Sequence, residues 1–241
     1  MDKTSRRPWT GGFAALSMAT LLVACDSEAP APATATPTPA QVAAPIEDEL
    51  TVMGPARTVL AFGDSLFAGY NLAEDEGYPE RLEGVLRRRG IDATVIDAGV
   101  SGDTTAAGRQ RIAYVLDNLD AMPDLAIVEL GGNDLLRGIQ PSQTRENLTA
   151  ILDELKSRGV PVMLMGMRAP PNYGPQYQAD FDALYPALAA QYDAALVPFF
   201  MAPLLDNAAL VQDDRIHPTA QGVEAMVAAT VDTVIEALPK D

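Results

Sequence analysis

The sequence contains a single histidine, His217, and a single cysteine, Cys25, in 241 residues. Without a second cysteine the chain cannot form an internal disulfide, so it does not use the stabilisation that an oxidising compartment allows. One histidine excludes a metal site built from several imidazoles, and one cysteine excludes a thiolate zinc site. We expect neither a metal nor a cofactor. Any chemistry that needs an imidazole must use His217.

Basic residues are also scarce. Lys and Arg together number 17 against 33 Asp and Glu, which gives a formal net charge of −16. Removal of residues 1–24 would take away three basic residues and one acid and leave a net charge of −18. Such a surface repels polyanions, so nucleic acid is excluded as an expected partner.

A long hydrophobic run is lacking as well. The apolar stretch GGFAALSMATLLVA follows three basic residues and ends at Cys25. It is too short to span a bilayer comfortably and has the layout of a secretory signal, which a short membrane anchor or a buried helix fits less well. The stretch LVAC, from Leu22 to Cys25, resembles the bacterial lipobox. This resemblance predicts a signal peptide over 1–24 and a lipid on Cys25, with the Sec and twin-arginine export routes both open.

Residues 25–56 are rich in Pro, Ala and Thr and contain few large apolar side chains. Such a composition cannot bury a core and predicts an extended tether between the lipid and the folded domain. We therefore expect an exported lipoprotein on the periplasmic side of a membrane, with its folded domain over 57–241. A chain of roughly 185 residues is enough for one well-buried domain.

The domain alternates short apolar runs with amphipathic segments. Strands are predicted at 58–62, 93–98, 125–130, 161–165 and 195–200, and helices at 79–89, 104–119, 141–159, 176–192 and 218–238. Apolar strands separated by helices predict an α/β fold with a mainly parallel five-stranded sheet that is covered on both faces. Ligands bind such sheets beyond the carboxyl ends of the strands. Four polar motifs follow strands there, namely GDSL, SGDT, GGND and DDRIHP.

The GDSL motif places Ser65 two residues after Gly63, where the chain must turn. A nucleophile elbow would read G-x-S-x-G, but position 67 is Phe, which disfavours a standard α/β-hydrolase. Taken alone, Ser65 suits a helix cap better than a nucleophile. Asp214 and His217 are three residues apart, a spacing that lets the carboxylate orient one ring nitrogen while the other faces outward. A capping Asp beside an incidental surface His is the alternative.

Two further motifs supply candidate hydrogen-bond donors. Gly102 in SGDT lets a backbone N–H approach a substrate oxygen closely, although a plain turn explains the glycine equally well. The amide of Asn133 in GGND can point at the same oxygen, and the two donors together would make an oxyanion hole. We expect Asp64 and Asp134 to order their loops. The stretch GVSGDTTAAG does not fit the dinucleotide-binding fingerprint.

The motifs in this order resemble those of the GDSL or SGNH hydrolase family, and VELGGNDLLRGIQP, PPNYG and QDDRIHP resemble its thioesterase I / protease I / lysophospholipase branch. The resemblance implies a flavodoxin-like three-layer α/β/α sandwich. It also implies that Ser65 is the nucleophile, His217 the base and Asp214 the third triad member. The N–H groups of Ser65 and Gly102 and the side chain of Asn133 would form the oxyanion hole.

The implied activity is that of a serine esterase, of the arylesterase or lysophospholipase type with a possible thioesterase side activity. Its partners would be an acyl-ester small molecule or lipid and, through the anchor, a membrane, and we expect a monomer. Leu135, Asn172 and Tyr173 are predicted to contact the substrate, with flexible methionines nearby. Two alternatives stay open: an esterase for O-acetyl groups of polysaccharide or cell wall, and a non-catalytic surface-binding lipoprotein.

Overall fold

The computed structural model describes residue 52 and residues 54–240. The chain divides into two units, Met1–Ile46 and Glu47–Asp241, and every described residue belongs to the second. The predicted signal peptide and Cys25 lie outside the described residues, as does the predicted tether except for residues 52 and 54–56. No helix in the described part of the chain is both long and apolar enough to cross a membrane.

Five strands form one sheet in the order β2-β1-β3-β4-β5, and every neighbouring pair is parallel. The strands are β1 (Arg57–Gly63), β2 (Ala93–Gly99), β3 (Leu125–Glu129), β4 (Val162–Met165) and β5 (Ala195–Val197). Strand β1 lies between β2 and β3, so the order reverses there and opens a crevice at the carboxyl end of β1. This sheet confirms the predicted flavodoxin-like α/β fold.

Seven α-helices accompany the sheet in the described chain. They are α1 (Tyr78–Arg88), α2 (Thr105–Asp117), α3 (Gly132–Leu136), α4 (Pro141–Ser157), α5 (Pro175–Asp182), α6 (Leu184–Tyr192) and α7 (Ala220–Ala237). Helix α1 contacts α7, whereas α2 contacts α4, which also contacts α6. Because crossovers are right-handed and the strand order reverses at β1, α1 and α2 cover opposite faces of the sheet. The result is the predicted three-layer sandwich.

The helix predicted over 176–192 is interrupted at Ala183, between α5 and α6. Pro186 has no N–H for the carbonyl of Asp182, and its ring would crowd that carbonyl in a continuous helix. The proline instead occupies the first turn of α6, where the missing donor is tolerated. Strand β5 is also shorter than predicted and ends at Val197, directly before Pro198.

The core of the sandwich rests on the central strands. Val59 to Phe62 in β1 and Leu125 to Ile127 in β3 are fully buried, and Val128 is 1% exposed. Helix α4 adds a buried stripe of Leu148, Ile151, Leu152 and Leu155, at helical spacing. Burial of this kind is the main favourable contribution to folding, at about 25 cal/mol for each Å² of apolar surface removed from water. It gives the loops at the carboxyl edge of the sheet a rigid base.

Candidate active site

A cleft of about 570 Å³ opens at the carboxyl edge of the sheet. Segments that follow all five strands line it, so the four polar motifs of the sequence do converge at one edge. Its walls are mainly apolar, with Leu66, Leu135, Leu136, Met167, Phe199 and Met201 among the lining side chains. A concave, mainly apolar site with a few polar groups at one end is the usual form of a small-molecule or acyl-chain site.

Ser65, His217 and Asp214 form a series of hydrogen bonds at the polar end of this cleft. The Nε2 atom of His217 lies 2.8 Å from the Oγ atom of Ser65. The Nδ1 atom of the same ring lies 2.6 Å from Oδ2 of Asp214. The structure therefore brings together three residues that are up to 152 positions apart in the chain.

Asp214 is held in place by the backbone of its own turn. Its Oδ1 atom accepts the N–H of Ile216 at 2.9 Å and the N–H of His217 at 3.0 Å. Partial burial raises the pKa of Asp214, but the hydrogen bonds from the side chain and backbone of His217 outweigh that effect and lower it to about 2. Asp214 is therefore ionised at neutral pH, the state in which it orients an imidazole.

Tyr70 covers the imidazole of His217, with ring centroids 4.3 Å apart and planes inclined by 34°. The backbone of Tyr70 is tied to the histidine turn, because Gln212 Nε2 donates to the carbonyls of both Tyr70 and Pro218 at 2.8 Å. Sequence reasoning did not find this residue. An aromatic side chain five positions after a serine carries no signal of contact with a distant histidine.

The loop after β2 places Gly102 in the wall of the cleft. Gly102 has φ of +87°, a left-handed conformation that favours glycine, and its carbonyl accepts a 2.8 Å hydrogen bond from Arg137. Within the described residues, neither this N–H nor that of Ser65 has an acceptor. Both donors are thus available to a bound oxygen.

Asn133 lies in α3, one residue after its first position, and also lines the cleft. Its Nδ2 atom donates to Oδ2 of Asp64 at 3.0 Å, which occupies one of the two amide hydrogens. The helix starts after Gly131, whose φ is +119° and where a Cβ would collide with the hydroxyl of Tyr185. Glycine at that position is what lets α3 begin immediately after β3.

Asp134 joins α3 to its neighbours rather than facing the cleft. It is fully buried, and it accepts hydrogen bonds from the N–H of Thr105 at 2.8 Å, from the Thr105 hydroxyl, and from the Thr144 hydroxyl at 3.0 Å. Asp64 orders its own turn by accepting the N–H of Leu66 at 3.1 Å. Both carboxyl groups thus order loops, as expected from the sequence.

A second buried carboxyl group lies beside Asp64. Glu129, the last residue of β3, is fully buried, and its Oε2 atom accepts the N–H of Asp64 at 3.2 Å. Burial raises the pKa of Asp64. Burial, together with the neighbouring charge of Asp64, raises the pKa of Glu129 well above its usual range. Sequence reasoning treated Glu129 only as part of a strand.

Of the three predicted substrate contacts, two line the cleft. Leu135 and Tyr173 do so, and the Tyr173 hydroxyl donates to the carbonyl of Leu135 at 2.5 Å. Asn172 is exposed on the 3₁₀ turn Pro171–Tyr173 and is not among the lining residues, because that turn presents Tyr173 to the cleft instead. Met163 and Met165 are fully buried core residues, and Met167 and Met201 supply the methionines in the wall.

Two arginines, Arg168 and Arg215, line the cleft. Among the described residues of its wall, they are the exposed charged side chains. The guanidinium of Arg168 lies 5.5 Å from the ring centroid of Phe199. Among the ion pairs of the described residues, none includes Arg168 or Arg215, although acids outnumber basic residues about two to one in the sequence. In the same residues, no group of three His, Cys, Asp or Glu side chains could hold a metal ion.

A doubly wound parallel sheet with serine, histidine and aspartate joined in series at its ligand edge has the architecture of a serine hydrolase. The model of the GDSL-like lipase/acylhydrolase family matches residues 61–225, and the chain belongs to this family.

Relatives with assigned activities match the same region. The chain is 40% identical over 169 residues to esterase TesA of Pseudomonas aeruginosa, covering 70% of this chain and 83% of that protein. It is 39% identical over 160 residues to an arylesterase of Vibrio mimicus, covering 66% and 79%. The crystal structure of AlinE4, an SGNH-hydrolase family esterase, has a TM-score of 0.66 and 60% identity, and covers 78% of this chain and 100% of that one. The chain is accordingly a carboxylic ester hydrolase, and neither alternative is favoured.

Proposed function

We propose that the protein hydrolyses esters of acyl chains through an acyl-enzyme on Ser65. The observation that carries the proposal is the hydrogen-bond series from Ser65 Oγ through His217 to Asp214, with distances of 2.8 and 2.6 Å. A serine hydroxyl becomes an effective nucleophile when a positioned base accepts its proton. Because its pKa is lowered to about 2, Asp214 is ionised, and its carboxylate orients the His217 ring and stabilises the imidazolium that forms.

In the first half-reaction, Nε2 of His217 takes the Ser65 proton while Oγ bonds to the ester carbonyl carbon. The tetrahedral intermediate then collapses, and the alcohol leaves with the proton returned by His217. In the second half-reaction, His217 removes a proton from water, whose oxygen attacks the acyl-serine carbonyl. Collapse frees the carboxylic acid and restores the Ser65 hydroxyl.

The developing oxyanion would accept hydrogen bonds from the N–H groups of Ser65 and Gly102 and from the amide of Asn133. The two backbone donors have no acceptor within the described residues, and Asn133 keeps one amide hydrogen after its bond to Asp64. Donors that are fixed before the reaction stabilise the transition state without reorganisation. This supports the assignment of the oxyanion hole to these residues.

The preferred substrate is an ester of a medium or long acyl chain. A volume of about 570 Å³ with mainly apolar walls suits such a chain and far exceeds an acetyl group. Leu135 and Tyr173 would contact the chain. Arg168 and Arg215 favour a substrate with an anionic group near the ester, as in a lysophospholipid, because a guanidinium pairs well with phosphate or carboxylate oxygens.

The decisive experiment combines labelling with a chain-length series. A fluorophosphonate should label the wild type and the Ser101→Ala variant but not Ser65→Ala, since Ser101 is a second serine in the cleft wall without a histidine partner. On nitrophenyl esters from acetyl to palmitoyl, kcat/KM should peak above acetyl. Label on Ser65→Ala would refute the nucleophile, and a maximum at acetyl would refute the acyl-chain preference.

We also propose that the protein is exported and anchored to the membrane through a lipid on Cys25. The support is the apolar stretch that ends in LVAC and the tether composition that follows it. Cell fractionation should find the wild type in the membrane fraction and the Cys25→Ser variant in the soluble fraction or as an unprocessed precursor. Wild-type protein found wholly in the soluble fraction would refute the anchor.

A further inference from the structure

The buried carboxyl group of Glu129 takes no part in the proposed reaction steps. Glu129 ends the central strand β3, is fully buried with 0% relative exposure, and is not among the residues that line the cleft. Its Oε1 atom has no hydrogen-bond partner among the described residues. An unpaired buried carboxylate oxygen is costly, so its presence calls for a physical reason.

The Glu129 carboxyl group packs against Gly63, the residue before Asp64. Gly63 pairs with Glu129 in the register of β1 and β3. A Cβ built on Gly63 would lie 2.9 Å from Oε2 of Glu129, a separation that real Cβ atoms essentially never show. The same Cβ would lie 2.7 Å from the Phe67 ring and 2.9 Å from the Glu129 carbonyl oxygen, so glycine leaves room at this position for the Glu129 carboxyl group together with these two neighbours.

Glu129 and Asp64 cannot both be ionised without a large penalty. Asp64 is only 2% exposed, and no cation pairs with either carboxyl group in the described part of the chain. Two adjacent carboxylates in a desolvated site repel each other, and one of them retains a proton. Both carboxylate oxygens of Asp64 accept hydrogen bonds, from the N–H of Leu66 at 3.1 Å and from the Asn133 amide at 3.0 Å. Among the described residues, Glu129 accepts only the N–H of Asp64, at 3.2 Å. Because hydrogen bonds to a carboxylate favour its charged form, the proton is better placed on Glu129.

We propose that Glu129 is a positioning residue: it holds the shared proton, donates it in a hydrogen bond to the Asp64 carboxylate, and thereby orients the amide of Asn133 towards the substrate oxygen. The proposal rests on the function proposed above, in which Asn133 is an oxyanion-hole donor.

An ionised Asp64 can only accept hydrogen bonds, which determines how the Asn133 amide is oriented. A carboxylate is only an acceptor, so Oδ2 of Asp64 selects the NH₂ end of the Asn133 amide, with which it forms the 3.0 Å bond. If Asp64 carried the proton, its O–H could donate to the Asn133 amide oxygen instead. The amide would then be flipped, with its oxygen where the nitrogen now lies, so that an acceptor rather than a donor would face the substrate oxygen. A proton on Glu129 keeps Asp64 in the ionised form that fixes the donor.

The other ionisable groups near the pair have partners of their own. The Tyr185 hydroxyl donates to the carbonyl of Leu130 at 2.9 Å. Arg111 donates to the carbonyl of Gly63 at 2.9 Å and pairs with Asp103 at 2.6 Å. Asp134 accepts its bonds from two threonines. His217 acts on Asp64 through its charge when protonated, which favours the same ionised state.

The test compares Glu129→Gln with Glu129→Leu on a nitrophenyl ester. A glutamine donates one hydrogen bond and accepts another, as a protonated glutamic acid does, so kcat should stay within about threefold of wild type. Leucine does neither, and kcat should fall by about tenfold or more, towards the 10²–10³-fold of losing an oxyanion donor, with KM within about twofold. Equal kcat losses in the two variants would overturn the proposal.

A double-mutant cycle separates positioning from general destabilisation. In an Asn133→Ala background, Glu129→Leu should cause almost no further loss of kcat, because the group through which it acts is gone. A loss that multiplies fully in this background would show that Glu129 acts elsewhere. If Glu129→Leu does not fold, the same cycle with Asp64→Asn gives the answer, since that change also removes the acceptor-only partner of Asn133.

Two further readouts test the proton itself. At neutral pH the infrared C=O band of a buried protonated carboxyl group should be present in the wild type and absent in Glu129→Gln. A raised folded-state pKa means that the folded state keeps a proton which the unfolded state has lost. Wild-type stability relative to Glu129→Gln should therefore decrease as pH rises above the unfolded-state pKa of Glu. A relative stability that increases with pH would refute a protonated Glu129. Failure of the fluorophosphonate to label Ser65 in the wild type would instead refute the proposed function.

Discussion

Replacing Asn133 by alanine gives the sharpest test of the oxyanion hole. Among the described residues, the Asn133 side chain makes one hydrogen bond, the 3.0 Å bond to Asp64, and its second amide hydrogen is free for substrate. A bond to an oxygen that gains charge should strengthen in the transition state, so its loss should lower kcat more than it raises KM. We expect kcat to fall by about 10²–10³-fold, or about 2.7–4 kcal/mol of transition-state stabilisation.

The Asn133→Asp variant should be at least as impaired, for a reason that the structure supplies. It would place a third carboxyl group about 3 Å from Oδ2 of Asp64, where the amide nitrogen now lies. At an effective dielectric constant of 20, two unit charges at that separation repel by about 5 kcal/mol. The new group must either keep a proton or destabilise the fold, so the melting temperature should fall further than in Asn133→Ala.

The assay is kcat, KM and Tm on both variants, with Asn118→Ala as a matched control. Asn118 is an exposed asparagine at the end of α2, and its amide donates to the carbonyl of Tyr114 at 2.7 Å. The control should keep wild-type kcat. If Asn133→Ala lowers Tm while kcat stays near wild type, the residue only caps its loop and the oxyanion assignment is refuted.

The remaining predictions concern the triad and the cleft. His217→Ala should reduce kcat nearly as much as Ser65→Ala, and the double variant should be scarcely worse, because triad members act as a unit; losses that multiply would refute the pairing. Folding lowers the pKa of Asp214 from its ordinary value of 3.8 to about 2. The ionised Asp214 therefore stabilises the folded state at pH values above 3.8, and this contribution is lost as the pH falls towards 2. The Tm difference between wild type and Asp214→Asn should therefore shrink over that interval, and a constant difference would contradict this. Arg168→Gln should raise KM about fivefold for an acyl ester with a phosphate group but not for a neutral ester of the same chain, while Arg88→Gln, an exposed charge change on α1, should raise neither.

Much of the fold could be predicted because its signals are local. Each strand of the sheet is a short apolar run, and each long helix carries its buried residues at helical spacing, so both are visible in single segments. The motifs follow the strands directly, and parallel strands bring their carboxyl ends to one edge. That rule is sufficient to predict from the sequence that Ser65, Gly102, Asn133 and His217 lie at the same edge of the sheet.

The elements that the sequence did not reveal depend on single residues in special conformations. Helix α3 is only five residues long, too short for periodicity to show, and it begins behind the left-handed Gly131. The break between α5 and α6 follows from Pro186, whose effect was masked by good helix formers on both sides. The contact of Tyr70 with His217 joins two loops that no local pattern connects.

The register of the sheet explains why Glu129 was overlooked. A glutamate at the end of an apolar strand normally marks the place where the strand reaches solvent. Here β3 is the central strand, and its pairing with β1 places Glu129 directly beside Gly63, under the turn that carries Ser65. Only the combination of strand order, register and an adjacent glycine turns a strand-end glutamate into a buried one. In other parallel sheets, a buried carboxyl group of this kind should be sought at the residue that pairs, in the strand register, with the glycine two positions before the nucleophile. Neither the glycine nor the glutamate identifies the pair by itself.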